Sequence, residues 1–82
     1  MVNRIQEPVK VGVVFASSRI RPVWFVWKNF RYDIKSVTFS WRSREGNAPI
    51  YHFAVTDGAN LYELSFNTRT ADWMLDSIEC GG

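Results

Sequence analysis

Catalytic or metal chemistry in this chain would have to be built from one histidine, one cysteine, eight acids and a scatter of hydroxyls. His52 lies out of phase with the alternating set Tyr51, Phe53, Val55, so it belongs on the outer face of its strand, opposite Ser65 and near Glu63. A serine–histidine–carboxylate arrangement would need Ser65 as nucleophile, an oriented base and an oxyanion hole. No Gly-rich nucleophile turn accompanies it, and a surface histidine on a strand is the simpler reading. A lone histidine, a near-terminal Cys80 and dispersed acids show no zinc or calcium ligand spacing. Asp72, Asp76 and Glu79 would share a face only if their segment were helical, and that face reads as solvated. Gly12 stands alone inside a strand pattern and matches no phosphate-cradling loop; it marks close packing or a bulge. Cys80 has no partner for an intramolecular disulfide. The expectation is a chain with no catalytic residues, no metal and no cofactor, and so not an enzyme.

Binding chemistry is better represented. Residues 1–44 hold nine Lys/Arg and two acids, whereas residues 45–82 hold one Arg and six acids. Such asymmetry points to an anionic partner or to self-association. Lys10, Trp24, Lys28, Arg31, Lys35 and Arg42 form the candidate binding set, most of it on the outward phase of the first three strands. Cations neutralise phosphates, and an exposed ring stacks on an unpaired base for about 1–3 kcal/mol. The competing reading is that Trp24 and Val26 are covered by a terminus or a second subunit, the lysines serving to protect the sheet. No RNA-binding consensus, helix-turn-helix or zinc-finger spacing is present.

The elements that must position these residues are strands. With 82 residues there is room for one domain, and four Trp, six Phe and three Tyr supply large apolar surfaces for a small core. The dominant apolar period is two. Six strands are predicted, marked by Val9/Val11/Val13/Phe15, Val23/Phe25/Trp27, Tyr32 to Trp41, Tyr51/Phe53/Val55, Tyr62/Leu64/Phe66 and Trp73/Leu75. The third changes phase between Ile34 and Val37, which demands a bulge or break near Lys35-Ser36. Asp57-Gly58-Ala59-Asn60 and Asn67-Thr68-Arg69-Thr70 read as hairpin turns, and residues 42–49 as the longest loop. Pairing Val13 with Phe25, Phe25 with Ile34, Phe39 with Phe53, Phe53 with Leu64 and Leu64 with Leu75 puts every apolar set on one face. That register sets Val14 against Trp24 and Trp24 against Lys35. Ala71, Met74, Leu75 and Ile78 also fit helical spacing, but Trp73 and Leu75 continue the pairing, so a strand is expected there. The predicted fold is all-β, a six-stranded antiparallel meander curled into a small open barrel. Residues 1–8 are expected to form a flexible tail, 9–79 a single β-domain and 80–82 a second tail.

The run Ile20-Arg21-Pro22-Val23-Trp24-Phe25-Val26-Trp27, with Arg31-Tyr32-Asp33-Ile34, resembles a family of short bacterial proteins of unassigned function. Phe53 to Gly58, Tyr62-Glu63-Leu64 and Thr70…Trp73-Met74-Leu75 fit the same pattern. The resemblance implies a β-meander and carries no catalytic or ligand residue. Its members near error-prone DNA polymerase genes lend weight to nucleic acid as a partner. With no apolar run near the roughly 20 residues needed to span a bilayer and no signal-like N-terminus, a cytoplasmic protein with no membrane partner is expected. A protein-interaction or homo-oligomeric β-module is the first expectation, and a nucleic-acid accessory domain the second.

Overall fold

The computed structural model describes residues 2–81. Its strands are β1 (Val2–Pro8), β2 (Lys10–Ala16), β3 (Arg19–Trp27), β4 (Phe30–Asp33), β5 (Ser36–Glu45), β6 (Ala48–Thr56), β7 (Asn60–Asn67) and β8 (Asp72–Cys80). They build a five-stranded sheet, β1-β8-β7-β6-β5, and a three-stranded sheet, β2-β3-β4, antiparallel throughout. Among the described residues no helix is long and apolar enough to cross a membrane.

The all-β antiparallel class is as the period-two pattern predicts. The single curled meander is not what forms: eight strands divide between two sheets, with no closed barrel. Two short corners make the division. The Ile34 N–H donates to the Val23 carbonyl at 3.0 Å, and the next N–H, of Lys35, donates to Thr56 at 2.8 Å. The chain thus changes sheets within one peptide unit, and the expected bulge at Lys35-Ser36 is a break. Val9 makes the other corner: its N–H donates to Trp73 at 3.1 Å between β1 and β2. Strands that switch sheets at bends are how two packed sheets share a corner.

Residues 2–8 are not a tail but a strand paired with β8. Its alternation is hidden in sequence by a register shift between Arg4 and Glu7, where Gln6 takes φ 54°. The C-terminal tail is likewise shorter than expected, since Cys80 ends β8; Gly82 lies outside the described residues. Residues 42–49 are not a loop. Glu45 pairs with Ala48 across a two-residue turn, with Gly46 at φ 61° supplying the positive φ that a primed hairpin turn requires.

Registers in β6, β7 and β8 follow the sequence pattern: Phe53 faces Leu64, Leu64 faces Leu75 and His52 faces Ser65. In the three-stranded sheet they are tighter than expected. Ser17, Ser18, Lys28 and Asn29 all adopt φ between 51° and 66°, so both connections are two-residue turns. Phe25 therefore pairs with Val11 and Tyr32, not with Val13 and Ile34. Trp24 lies opposite Gly12 and Asp33, not Val14 and Lys35.

The core joins the sheets through rings. Phe25 is fully buried, stacks on Tyr32 (4.9 Å, 11°) and meets Tyr62 of the larger sheet edge-on (5.0 Å, 67°). Phe53, Val55, Leu64 and Leu75 complete it. The Trp27 Nε1–H donates to Glu7 Oε1 at 3.0 Å, tying β3 to β1.

Candidate functional site

The basic-aromatic set expected from sequence does not converge. Lys10, Trp24 and Arg31 do share the outer face of the small sheet, through the pairs Lys10–Val26, Trp24–Asp33 and Val26–Arg31. Trp24 is covered there. Its indole lies against the Cα of Gly12, where an added Cβ would collide with the ring, and the Arg31 guanidinium sits 5.0 Å above its centroid. Arg31 is held in turn by Asp33 at 2.9 Å. A ring packed on one side and capped on the other offers no face to a base. Lys28 folds back over Trp27 (4.9 Å) at the β3–β4 turn. Lys35 leaves the corner and lies along Gly58. Arg42 lies on the edge strand of the other sheet, reaching over Tyr51 at 5.9 Å.

What gathers around Arg42 is a groove. One wall is the β5 edge and adjoining β6, with Val37, Phe39, Trp41, Tyr51 and His52; the other is the β2–β3 hairpin tip, with Arg19 and Arg21. Its volume is about 1170 Å³ and its lining contains no acid. The sequence reading places Phe39 and Trp41 in the core. A bulge at Thr38 overturns that: Val37 pairs with Val55, but Phe39 pairs with Ala54 and Trp41 with His52. One extra residue moves all later side chains to the opposite face. Phe39 is therefore 64% exposed. Trp41 stacks parallel on His52 (5.0 Å, 4°), with Phe39 as its other neighbour (5.6 Å, 28°).

No family model, curated protein or solved structure matches this chain.

His52 faces Ser65, as expected, but bonds elsewhere: its Nε2 lies 2.7 Å from Ser43 Oγ on β5. A nucleophilic serine–histidine pair needs a third group to orient the far ring nitrogen. Nδ1 is buried and has no partner among the described residues. Across the same face Glu63 of β7 and Asp76 of β8 approach His52, the three ligand atoms lying within 4.8 Å of one another. Spacings of 11 and 13 residues carry no metal signature in sequence, because only cross-strand register makes these residues neighbours. The exposed Cys80 stands apart as a free thiol.

A second polar cluster, at the β6–β7 turn, is structural. Asp57 Oδ1 accepts from the Ala59 and Asn60 N–H groups (both 2.9 Å), and Oδ2 accepts from the Tyr62 hydroxyl at 2.8 Å. Burial pushes the Asp57 carboxyl up, but these backbone and hydroxyl donors outweigh it and hold the group below its ordinary range. Burial, reinforced by the neighbouring Asp57 carboxylate against the opposing Asn60 hydrogen bond, pushes Tyr62 up to about 12. The turn expected at Asp57-Gly58-Ala59-Asn60 is thus anchored to the core through Tyr62.

Proposed function

We propose that this chain is a non-enzymatic protein-interaction module that takes an extended, acidic segment of a partner as an additional strand against β5. The observation that carries this reading is the open β5 edge, ten residues long and beside a groove lined by Arg19, Arg21 and Arg42 with no acid. Residues 36–41 of that edge, Ser-Val-Thr-Phe-Ser-Trp, contain no charge and no proline. Natural edges are normally blunted by lysine, proline, inward charge or a bulge; the bulge at Thr38 interrupts this one, but the uncharged run on either side of it still offers main-chain bonds for affinity and side-chain pockets for specificity. The arginines complement acids on the incoming segment. A base-stacking role is less well supported, since Trp41 already has His52 and Phe39 as stacking neighbours and Trp24 is capped by Arg31.

The test uses hydrogen exchange of the β5 amides with three probes: an alternating Glu-Val decapeptide, its Lys-Val counterpart and a dT oligonucleotide. The acidic peptide is expected to protect amides across residues 36–45, the basic one to leave them unchanged, and Phe39→Lys to abolish protection. Oligonucleotide binding that collapses steeply with salt would replace this reading with a nucleic-acid one. Protection that rises with the concentration of the protein alone would make a second copy the occupant and overturn it equally. No protection by the acidic peptide at millimolar concentration would remove the strand-addition reading.

A further inference from the structure

On the outer face of the larger sheet, β6, β7 and β8 each contribute one metal-ligating side chain to a single spot. We propose that His52 Nδ1, Glu63 and Asp76 bind one divalent transition cation of the zinc class. His52 also lines the groove beside β5, so the two sites share that residue, but the metal proposal does not depend on the strand-addition reading.

Four observations support it. First, one ligand atom from each side chain, a ring nitrogen in the case of His52, lies within 4.8 Å of the other two. Ligands around Zn²⁺ sit about 2.0–2.2 Å from the ion, so the side chains have to draw in by roughly 1 Å, within the rotameric reach of Glu63 and Asp76.

Second, the histidine is prepared for coordination. Ser43 Oγ lies 2.7 Å from Nε2. With Nε2–H donating to that oxygen, Nδ1 becomes a bare acceptor. A hydrogen bond at one ring nitrogen is the usual device that fixes the tautomer and frees the other nitrogen for a metal. Nδ1 is the buried side-chain polar atom that lacks any partner among the described residues. Buried polar atoms are normally satisfied, and a cation between Nδ1 and the two carboxylates would satisfy this one. Parallel stacking on Trp41 keeps the ring from turning away.

Third, the two carboxylates have no basic partner. Among the described residues the one ion pair is Arg31–Asp33, on the other sheet. Two like charges brought together on neighbouring strands repel, and a shared divalent ion removes that repulsion.

Fourth, the backbone is shaped at this point. The β7–β8 register shifts after Glu63, so that Ser77 pairs with Glu63 while Leu75 pairs with Leu64. Asp76 is the extra residue. The bulge sets Asp76 and Ser77 together opposite Glu63 and still returns Ile78 to the core side. Bulges commonly re-aim side chains beside functional sites.

One nitrogen and two oxygens form a borderline set, suited to Zn²⁺, Co²⁺ or Mn²⁺ more than to Mg²⁺ or Ca²⁺, which prefer all-oxygen cages. Three protein ligands leave a position for water. Bound there, the ion would cross-link the three consecutive strands at the centre of the larger sheet.

The test is calorimetric titration of the tag-free Cys80→Ser protein, which removes the exposed thiol as a competing ligand, with ZnCl₂ and CoCl₂. Expected are one equivalent bound, a higher Tm, and a shift of the His52 Nδ1 resonance on zinc addition. Glu63→Gln and Asp76→Asn, which keep side-chain volume, should each weaken binding at least tenfold, with an unchanged circular dichroism spectrum. Ser43→Ala, acting through the ring's tautomer, should weaken it by roughly 10–100-fold. No stoichiometric binding at 1 mM Zn²⁺ would overturn the proposal. So would binding that survives both carboxamide variants, or a Zn²⁺ complex in which the His52 resonances stay put.

Discussion

Gly12 is the position where one added carbon tests the geometry most sharply. A Cβ built on its backbone meets Cε2, Nε1 and Cζ2 of Trp24 far inside contact distance. The obstacle is a rigid ring rather than the end of a flexible chain, so Gly12→Ala must displace the indole. Its retreat is opposed by Arg31, stacked above it and tethered to Asp33, although that pair is exposed and yields at little cost. Overpacking of this kind costs about 1–3 kcal/mol. Replacing glycine within a strand returns about 0.5–1 kcal/mol by restricting the unfolded chain. The net expectation is a loss of about 1–2 kcal/mol, or a Tm lower by roughly 5–15 °C in a domain of this size. In a Trp24→Ala background the obstacle is gone and the sign should reverse, Gly12→Ala then stabilising by about 0.5–1 kcal/mol. Urea denaturation of the four proteins, followed by far-ultraviolet circular dichroism, completes the double-mutant cycle. A coupling of about 1–3 kcal/mol is expected. A Gly12→Ala protein as stable as the parent, or a coupling under about 0.5 kcal/mol, would refute the account of Trp24 as a ring packed on Gly12, and would return it to the pool of available stacking surfaces.

The β3–β4 turn places Lys28 and Asn29 at φ 52° and 66°, so Lys28→Asn with Asn29→Gly, the preferred pair for this turn, should raise stability by about 1 kcal/mol in the same denaturation assay. The pH dependence of Tm should show two limbs. Because the folded Asp57 carboxyl lies below its unfolded value, its contribution is complete above the unfolded pKa and is lost as pH falls through the folded one; Asp57→Asn should flatten this acid limb. Because Tyr62 is raised to about 12, its contribution is complete below its unfolded value near 10 and is lost as pH climbs from about 10 to 12; Tyr62→Phe should flatten the alkaline limb.

Period-two alternation in residues 51–55 and 62–66, and again at Trp73 and Leu75, is a property of each segment by itself. It was enough to place β6, β7 and β8, their turns, and the pairs Phe53–Leu64, Leu64–Leu75 and His52–Ser65. Lone Gly12, read as close packing or a bulge, proves to be both, since a ring lies on it and the register shifts beside it. The phase change after Ile34 was equally visible, but not that the chain leaves one sheet for another there, because that depends on which carbonyl the Lys35 N–H finds. The bulge at Thr38 is silent in the pattern, as Phe39 and Trp41 are apolar enough for either face; packing of the β2–β3 hairpin and β6 decides that they line a groove. His52, Glu63 and Asp76 are ordinary residues of three separate strands until register and the β8 bulge bring them together. Local periodicity, composition and turn chemistry act over a few residues, and the sequence by itself determined what they control: the all-β antiparallel class, the strands β6 to β8, most of the core, and the absence of any linear catalytic motif. Sheet partnership, bulge position and cross-strand neighbours are set by contacts between distant segments, so only the tertiary structure decided where the open edge, the groove and the histidine–carboxylate cluster lie.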